Sequence, residues 1–238
     1  MDDPARAGRV SWQERRRATV RQAAGVGLAT GSYGVSFGAL AVAAGLSPAQ
    51  ACALSLLAFT GGSQFAYVGV VAGGGASASG ALSALLLGSR NALYGLRVAP
   101  LLRRGPGPRG LRRAVGAQLV IDESTAVALG QPDERAARLG FWATGLAVYA
   151  LWNASTLLGA LAGDLLGDPR TYGLDAAAPA AFVALLAPRL RGREAWAVAA
   201  VAAVLAVALV PAVPVGVPVL AAGAVALVAA LRGARAAA

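Results

Sequence analysis

Eight apolar segments, separated by short polar connectors, set the first constraint on how this chain folds. Most of them are long enough for a helix to cross the ~30 Å hydrocarbon layer of a membrane. The chain has 238 residues, of which 57% are apolar and 13% are charged, whereas soluble domains are roughly 25% charged. The sequence therefore predicts an all-α, polytopic helical membrane protein. The segments are 22–44, 49–73, 77–102, 114–130, 139–162, 176–188, 195–210 and 214–231.

The net charge is +10, and all 21 basic residues are arginine. In a soluble protein this charge would suggest nucleic acid as a partner, but short basic connectors between membrane segments mark the cytoplasmic side. We therefore expect no nucleic acid partner and predict a basic cytoplasmic tail (1–21), a single transmembrane domain (22–231) and a second cytoplasmic tail (232–238). The arginine clusters are Arg6 to Arg21, Arg103 to Arg113, Arg189 to Arg193, and Arg232 with Arg235.

The chain contains no histidine, and Cys52 is its single cysteine. Histidine is the commonest metal ligand and the usual general base near neutral pH, and one cysteine cannot form an internal disulfide. Cys52 lies in an apolar segment, where a small packing residue is expected. We therefore predict no metal site, no cofactor and no enzymatic activity.

The charge distribution also bears on how many segments cross the membrane. If all eight crossed from a cytoplasmic N-terminus, the arginine-rich connector 103–113 would lie outside, against the positive-inside rule. This conflict disappears if segments 49–73 and 176–188 are broken or re-entrant. The first has Thr60-Gly61-Gly62-Ser63 at its centre, and the second would be only about 20 Å long as a helix. We predict that both are broken or re-entrant.

A weak internal repeat accompanies this arrangement, at an offset of about 120 to 128 residues. With one re-entrant element in each half, each half crosses three times, so the second half (about 134–231) would be inverted relative to the first (about 14–130). Secondary transporters are often built in this way, with the substrate site at broken helices near the midplane. The matches are Glu14-Arg15 with Glu134-Arg135, Gly38 to Ala41 with Gly159 to Ala162, and Gly45-Leu46-Ser47 with Gly173-Leu174-Asp175.

Two adjacent acids, Asp122 and Glu123, lie in the middle of the apolar segment 114–130. A carboxylate at hydrocarbon depth costs several kcal/mol unless it is paired, protonated or facing water. In a continuous helix Asp122 would share a face with Gln118 and Thr125, whereas Glu123 would point about 100° away. The pair predicts a proton site or a site for a substrate amine. The alternative is a structural ion pair between helices.

Arg90 is the predicted partner of Asp122. It precedes Arg103 by thirteen residues, which places it about 20 Å into the membrane by helix rise. It could instead hold a substrate carboxylate through both guanidinium nitrogens. Tyr94 shares a helical face with Arg90.

The Gly61-Gly62 pair, followed by Ser63 and Gln64, predicts an unwound segment. Its free backbone groups could hold a small zwitterion, as broken helices do in transporters. The alternative is a packing notch, since small residues let helix backbones approach closely.

At these residues the chain resembles the AzlC family, the large subunit of bacterial branched-chain amino acid exporters. The likeness runs from about Gly25 to Gly192, and four motifs occur in order. The chain departs from the family's usual pattern by having Gly88 to Asn91 where an Asn-x-Arg-His is common and Ile121 where a Thr is common. The motifs are Phe59 to Phe65, Arg90 to Gly95 with Ala99-Pro100, Asp122-Glu123, and Tyr172 to Asp175 with Pro179 to Phe182.

The resemblance implies export of Leu, Ile or Val across the bacterial inner membrane, driven by the proton gradient, with a small AzlD-like membrane subunit as partner. Because the family's histidine is missing here, any proton coupling must depend on carboxylates. The main alternatives are a channel and a structural membrane subunit whose partner carries the pathway. The candidate substrate-binding or coupling residues are Gly61, Gly62, Ser63, Gln64, Arg90, Tyr94, Asp122 and Glu123.

Overall fold

The computed structural model describes residues 11–103, 108–166, 171, 183, 186–187, 190–214 and 216–236. In these residues all regular structure is helical and there is no strand. The helices are α1 (Trp12–Gly31), α2 (Tyr33–Ala43), α3 (Pro48–Leu57), α4 (Gly62–Ala72), α5 (Ser77–Gly88), α6 (Arg90–Leu102), α7 (Arg109–Gln118), α8 (Asp122–Leu129), α9 (Glu134–Leu166), α10 (Arg193–Leu209) and α11 (Val217–Ala236).

The all-α prediction is confirmed, and the helices fall on the predicted apolar segments wherever these are described. Segment 176–188 lies outside the described residues except for isolated positions. Two stretches, Trp12–Ala43 and Glu134–Gly163, are long and apolar enough to cross a membrane by length and composition. The number of crossings and the boundaries of the predicted domains stay predictions.

Local sequence explains where several helices begin. Ser11 and Ser47 cap α1 and α3, and in both cases a glutamate or glutamine three residues later bonds back to the serine N–H, which is the capping-box arrangement. Asp133 precedes α9 and accepts a hydrogen bond from the N–H of Ala136 at 2.8 Å. This backbone bond, with a smaller contribution from the nearby Arg15 guanidinium, lowers the pKa of the Asp133 carboxyl.

Contacts divide the chain into two compact units. Unit 1 comprises Met1–Gly34 and Asn91–Ser155, and unit 2 comprises Val35–Arg90 and Thr156–Ala238. Each unit therefore takes helices from distant parts of the sequence.

In unit 1, α1 packs along the first part of α9 through glycines. A Cβ added at Gly27 would lie 2.7 Å from the Cβ of Ala147. One added at Gly31 would lie 2.5 Å from the Cβ of Leu151. Real Cβ atoms do not approach this closely, so larger residues would push the two helices apart. Glycine allows the backbones to come together, as in small-residue helix pairs of membrane proteins.

The start of α1 also meets the start of α9. Arg15 forms an ion pair with Asp133, and the Thr19 hydroxyl donates to the Gln131 side-chain oxygen at 3.1 Å. The Gln131 amide in turn donates to Gln22 at 3.1 Å. Arginine, hydroxyl and amide groups thus tie these two chain segments together.

This packing corrects the predicted inverted repeat. In that repeat α1 and α9 are equivalent helices, and inversion requires them to run in opposite directions. In the structure, residues near the start of α1 contact residues near the start of α9, as in the pair Arg15–Asp133. Residues at the end of α1 contact residues further along α9, as in the pair Gly31–Leu151. The two helices are parallel, so the predicted inversion is wrong for them. The residues in contact, Gly27 with Ala147 and Gly31 with Leu151, are also about 120 residues apart in the sequence. The offset of the sequence repeat therefore matches the spacing of these parallel contacts.

In unit 2, α2 packs along the second part of α9 in the same way. A Cβ at Gly38 would collide with the backbone of Thr156 and Ala160, and one at Gly159 would collide with the backbone of Val35. Beside this contact the buried hydroxyl of Ser55, on α3, donates to the hydroxyl of Thr156 at 3.2 Å. The backbone approach leaves no room for any side chain at either glycine.

A second helical pair in unit 2 consists of α5 and α11. A Cβ at Gly216 would lie 3.2 Å from Ser79, and one at Gly223 would lie 2.7 Å from Leu86. Seven residues separate the contacts on each helix, so α5 and α11 also run parallel in this region.

The segment 114–130 is not one continuous helix, which corrects a further prediction. Helix α7 ends at Gln118 and α8 begins at Asp122. Asp122 therefore does not share a helical face with Gln118, although Thr125 lies one turn after it in α8. The acid pair occupies the first turn of a new helix.

Candidate functional site

In unit 2, the predicted break between α3 and α4 is confirmed. Helix α3 ends at Leu57, and α4 starts only at Gly62. Gly61 has φ of +59°, a conformation that glycine adopts without the steric penalty of a Cβ. The Gln64 side chain accepts a hydrogen bond from the Gly61 N–H at 3.2 Å and donates to the Leu54 carbonyl at 3.1 Å.

The Gln64 amide therefore joins the end of α3 to the start of α4. Leu54 and Gln64 are ten residues apart, a distance of about 15 Å along a straight helix, which the glutamine side chain cannot span. The chain must bend sharply at the break. Gln64 is only 1% exposed, whereas its two partners, Leu54 and Gly61, are half-buried.

Ser63 lies next to this bridge and faces α5. Its side chain is 4% exposed, and among the described residues its hydroxyl has no hydrogen-bond partner. A Cβ added at Gly88 would lie 3.1 Å from that hydroxyl. A buried hydroxyl left unsatisfied costs about 1–3 kcal/mol, so Ser63 is suited to bind a polar group of a ligand.

Arg90, the first residue of α6, also belongs to unit 2. It is half-buried, and its guanidinium donates to the Leu87 carbonyl at 2.8 Å. This bond satisfies a carbonyl in the last turn of α5, a common use of arginine at a helix C-terminus. The ion pair expected between Arg90 and Asp122 stays a prediction.

In unit 1, Asp122 and Glu123 form the first turn of α8, and both are half-buried. Carboxylates in this position are favoured by the positive end of the helix dipole. The Tyr94 hydroxyl donates to Asp122 Oδ1 at 2.7 Å. This hydrogen bond links the first turn of α8 to α6.

Ser124 shapes the interruption before α8 and was not identified from the sequence. Its hydroxyl accepts from the Ile121 N–H at 3.2 Å and donates to the Leu119 carbonyl at 2.6 Å. Ser124 is fully buried, so its hydroxyl satisfies backbone groups that the interruption would leave unpaired. The run Asp-Glu-Ser is itself a signal for a helix start, and it could have revealed this interruption.

In the part of the chain that the structure describes, each unit thus has an interrupted helix whose ends are joined by a buried polar side chain. In unit 2 the candidate residues Gly61, Gly62, Ser63 and Gln64 lie together, and Arg90 lies two residues beyond Gly88. In unit 1 Tyr94 and Asp122 are in contact, and Glu123 follows in the same turn. Within the described residues, no three His, Cys, Asp or Glu residues form a group that could hold a metal ion.

These features define a helical protein of apolar composition with buried polar groups at helix interruptions, a combination typical of membrane transport proteins. A sequence model of the family described as AzlC protein matches residues 25–166, which is more than half of the chain. The chain belongs to the AzlC family, a membrane-associated family related to branched-chain amino acid transport. No curated protein and no solved structure matches the chain.

We predict that Gln64→Leu lowers the free energy of unfolding by about 1–3 kcal/mol, because it leaves the Gly61 N–H without its partner. The Leu54 carbonyl loses one of two hydrogen bonds and keeps the one from the Ala58 N–H. Gln50→Leu is the matched control. Gln50 is also a glutamine at the third position of a helix and bonds back to the Ser47 N–H, but it is exposed.

We expect the control substitution to cost less than about 1 kcal/mol, since water can replace an exposed hydrogen bond. Denaturant unfolding in one detergent, followed by circular dichroism, measures both. Equal losses in the two variants would show that the Gln64 bridge does not hold the break together.

Proposed function

We propose that this protein is a multi-pass bacterial inner-membrane transporter that exports branched-chain or other small hydrophobic amino acids. The observation that carries the proposal is the AzlC match over residues 25–166. The two interrupted helices support it, because secondary transporters commonly place substrate and coupling groups at broken helices.

We assign the coupling role to Asp122 and Glu123. The chain has no histidine, so carboxylates are the groups available to bind and release a proton within the apolar segments. Protonation of Asp122 would weaken its acceptance of the Tyr94 hydrogen bond at 2.7 Å, because a neutral acid is a poorer acceptor than a carboxylate. A proton bound there would thereby loosen the contact between α6 and α8.

We assign the substrate-binding role to the start of α4 and to Arg90. The N-terminus of a helix attracts a carboxylate through its free N–H groups and its dipole. The unsatisfied, buried hydroxyl of Ser63 lies in the first turn of α4 and can donate to the same carboxylate. A guanidinium such as that of Arg90 is suited to a carboxylate as well.

The membrane topology of this proposal follows from unit 1. Because residues 15–22 contact residues 131–133, the chain between them crosses the membrane an even number of times. Counting 12–43 and 77–102 as full crossings, the interrupted segments 48–72 and 109–129 then either both cross or both return to the side they entered. The positive-inside rule favours return, because it keeps the arginines of connector 103–113 in the cytoplasm.

We therefore predict that single cysteines at Pro108 and at Pro132, in a Cys52→Ala background, both react only from the cytoplasmic side. Labelling with a membrane-impermeant maleimide in whole cells and in inverted vesicles provides the measurement. Reaction of Pro108→Cys from outside would restore full crossings of both interrupted segments.

A small AzlD-like membrane subunit is the proposed partner, and an amino acid is the proposed cargo. A channel is the second candidate function. The helix interruptions suit it equally, since unwound backbone within a membrane is tolerated where it lines a water-filled pathway. The response of flux to the proton gradient separates the two candidates.

We predict that Glu123→Gln abolishes the response of transport to a proton gradient while the protein still accumulates. We expect Asp122→Asn to lower accumulation as well, because it weakens the contact with Tyr94. The matched control is Glu134→Gln, which neutralises a glutamate in the first turn of α9, where it is exposed and pairs with Arg138. It should transport like the wild type.

The measurement is flux of labelled leucine in proteoliposomes that contain the chain with its small partner subunit, with and without an imposed proton gradient. Wild-type flux that ignores the gradient would favour the channel. If leucine flux through the Glu123→Gln variant responds to the gradient as it does in the wild type, Glu123 is not part of the coupling site.

A further inference from the structure

The surface around α7 is rich in positive charge. From Asn91 to Ile121 the sequence contains six arginines and no acid. The start of α1 differs, because there Arg15 pairs with Asp133. Since Arg109 and Arg113, unlike Arg15, form no ion pair with the described residues, their side of α7 is suited to an external anion.

One of these arginines fixes α7 to the end of α6. The Arg112 guanidinium donates to the carbonyls of Leu102 at 3.0 Å and Arg103 at 2.8 Å. On the same side of α7, a Cβ at Gly116 would lie 3.0 Å from the Leu102 side chain. The Arg112 guanidinium is therefore bonded within the protein. Its side of α7 packs against the end of α6, and the other sides of α7 are exposed.

Two other arginines lie on an exposed flank of α7. Arg109 and Arg113 are one turn apart and exposed, and neither forms an ion pair or hydrogen bond with the described residues. Like charges at this spacing destabilise a helix slightly. A bound anion between the two guanidinium groups would reverse that cost.

The opposite flank of α7 is apolar and exposed. Leu111 and Val115, again one turn apart, are 64% and 38% exposed. From the 100° step of a helix, these two side chains lie about 120° to 160° around the axis from the two arginines. Helices with a basic flank and an apolar flank bind at the boundary between lipid headgroups and acyl chains.

We propose that α7 binds the headgroups of anionic phospholipids, with Arg109 and Arg113 on the phosphates and Leu111 and Val115 against the acyl chains. Exposed Arg103, at the end of α6, adds to the same charged surface. A free phosphate ion would use only the arginines, whereas a lipid uses both flanks. The inference rests on the membrane insertion proposed above and is independent of the substrate and of proton coupling.

The test uses the full chain in detergent micelles, titrated with phosphatidylglycerol or, separately, with phosphatidylcholine. The rise in the thermal unfolding midpoint gives the apparent affinity. We compare Arg109→Gln/Arg113→Gln with the matched control Arg16→Gln/Arg17→Gln, which removes the same charge from an exposed pair on α1. A basic residue near an anionic surface contributes roughly a fivefold gain in binding.

The α7 variant should therefore bind phosphatidylglycerol about 25-fold more weakly than the wild type, whereas the control should match it. Leu111→Gln/Val115→Gln should also bind more weakly without any change in charge. Equal behaviour of the two arginine variants would overturn the proposal, as would full reproduction of the wild-type shift by inorganic phosphate. Circular dichroism in phosphatidylcholine shows whether each variant is folded.

The lipid result and the transport result can fail separately. If phosphatidylglycerol binding is lost in the α7 variant but labelled leucine is not transported by the wild type, the proposed function is wrong and the lipid surface stands. If transport is coupled to protons but both arginine variants bind lipid equally, the lipid surface is wrong and the proposed function stands.

Discussion

The close contact of helix backbones along α9 is the constraint on which the other features of each unit depend. In unit 1 the glycines of α1 leave room for Ala147 and Leu151 of α9. In unit 2 Gly38 and Gly159 allow the backbones of α2 and α9 to touch. Dispersion and close packing, not the hydrophobic effect, hold helices together in lipid. The contacts therefore require small residues at fixed positions, and these positions set both the direction and the register of α9.

That register determines where the polar groups of unit 1 meet. With α1 and α9 parallel, Arg15 reaches Asp133 and Thr19 reaches Gln131. Two further glycines of α9 admit the neighbouring segments: a Cβ at Gly140 would lie 3.1 Å from Val127 of α8, and one at Gly145 would lie 2.9 Å from Leu119 at the end of α7. The interruption before α8 is therefore held against α9, and the acid pair begins the helix that follows it.

The sequence alone was sufficient for the apolar segments and for the break at Gly61, because membrane-length hydrophobicity and paired glycines are local signals. It was not sufficient for the direction of α9. A repeat offset of about 120 residues is equally compatible with parallel packing and with an inverted half, and only contacts such as Gly31–Leu151 distinguish them. The interruption at Asp122 was missed because helical periodicity was extended through Leu119, although Asp122 to Ser124 favour a helix start.

Disulfide cross-linking between α1 and the turn before α9 tests the parallel register most directly. In a Cys52→Ala background, the pair Thr19→Cys/Gln131→Cys places cysteines where the side chains hydrogen-bond at 3.1 Å. The pair Thr19→Cys/Leu151→Cys places one partner beside Gly31, twelve residues further along α1. Parallel packing predicts that the first pair cross-links rapidly under mild oxidation and the second does not. Cross-linking of the second pair, or of neither, would contradict the account.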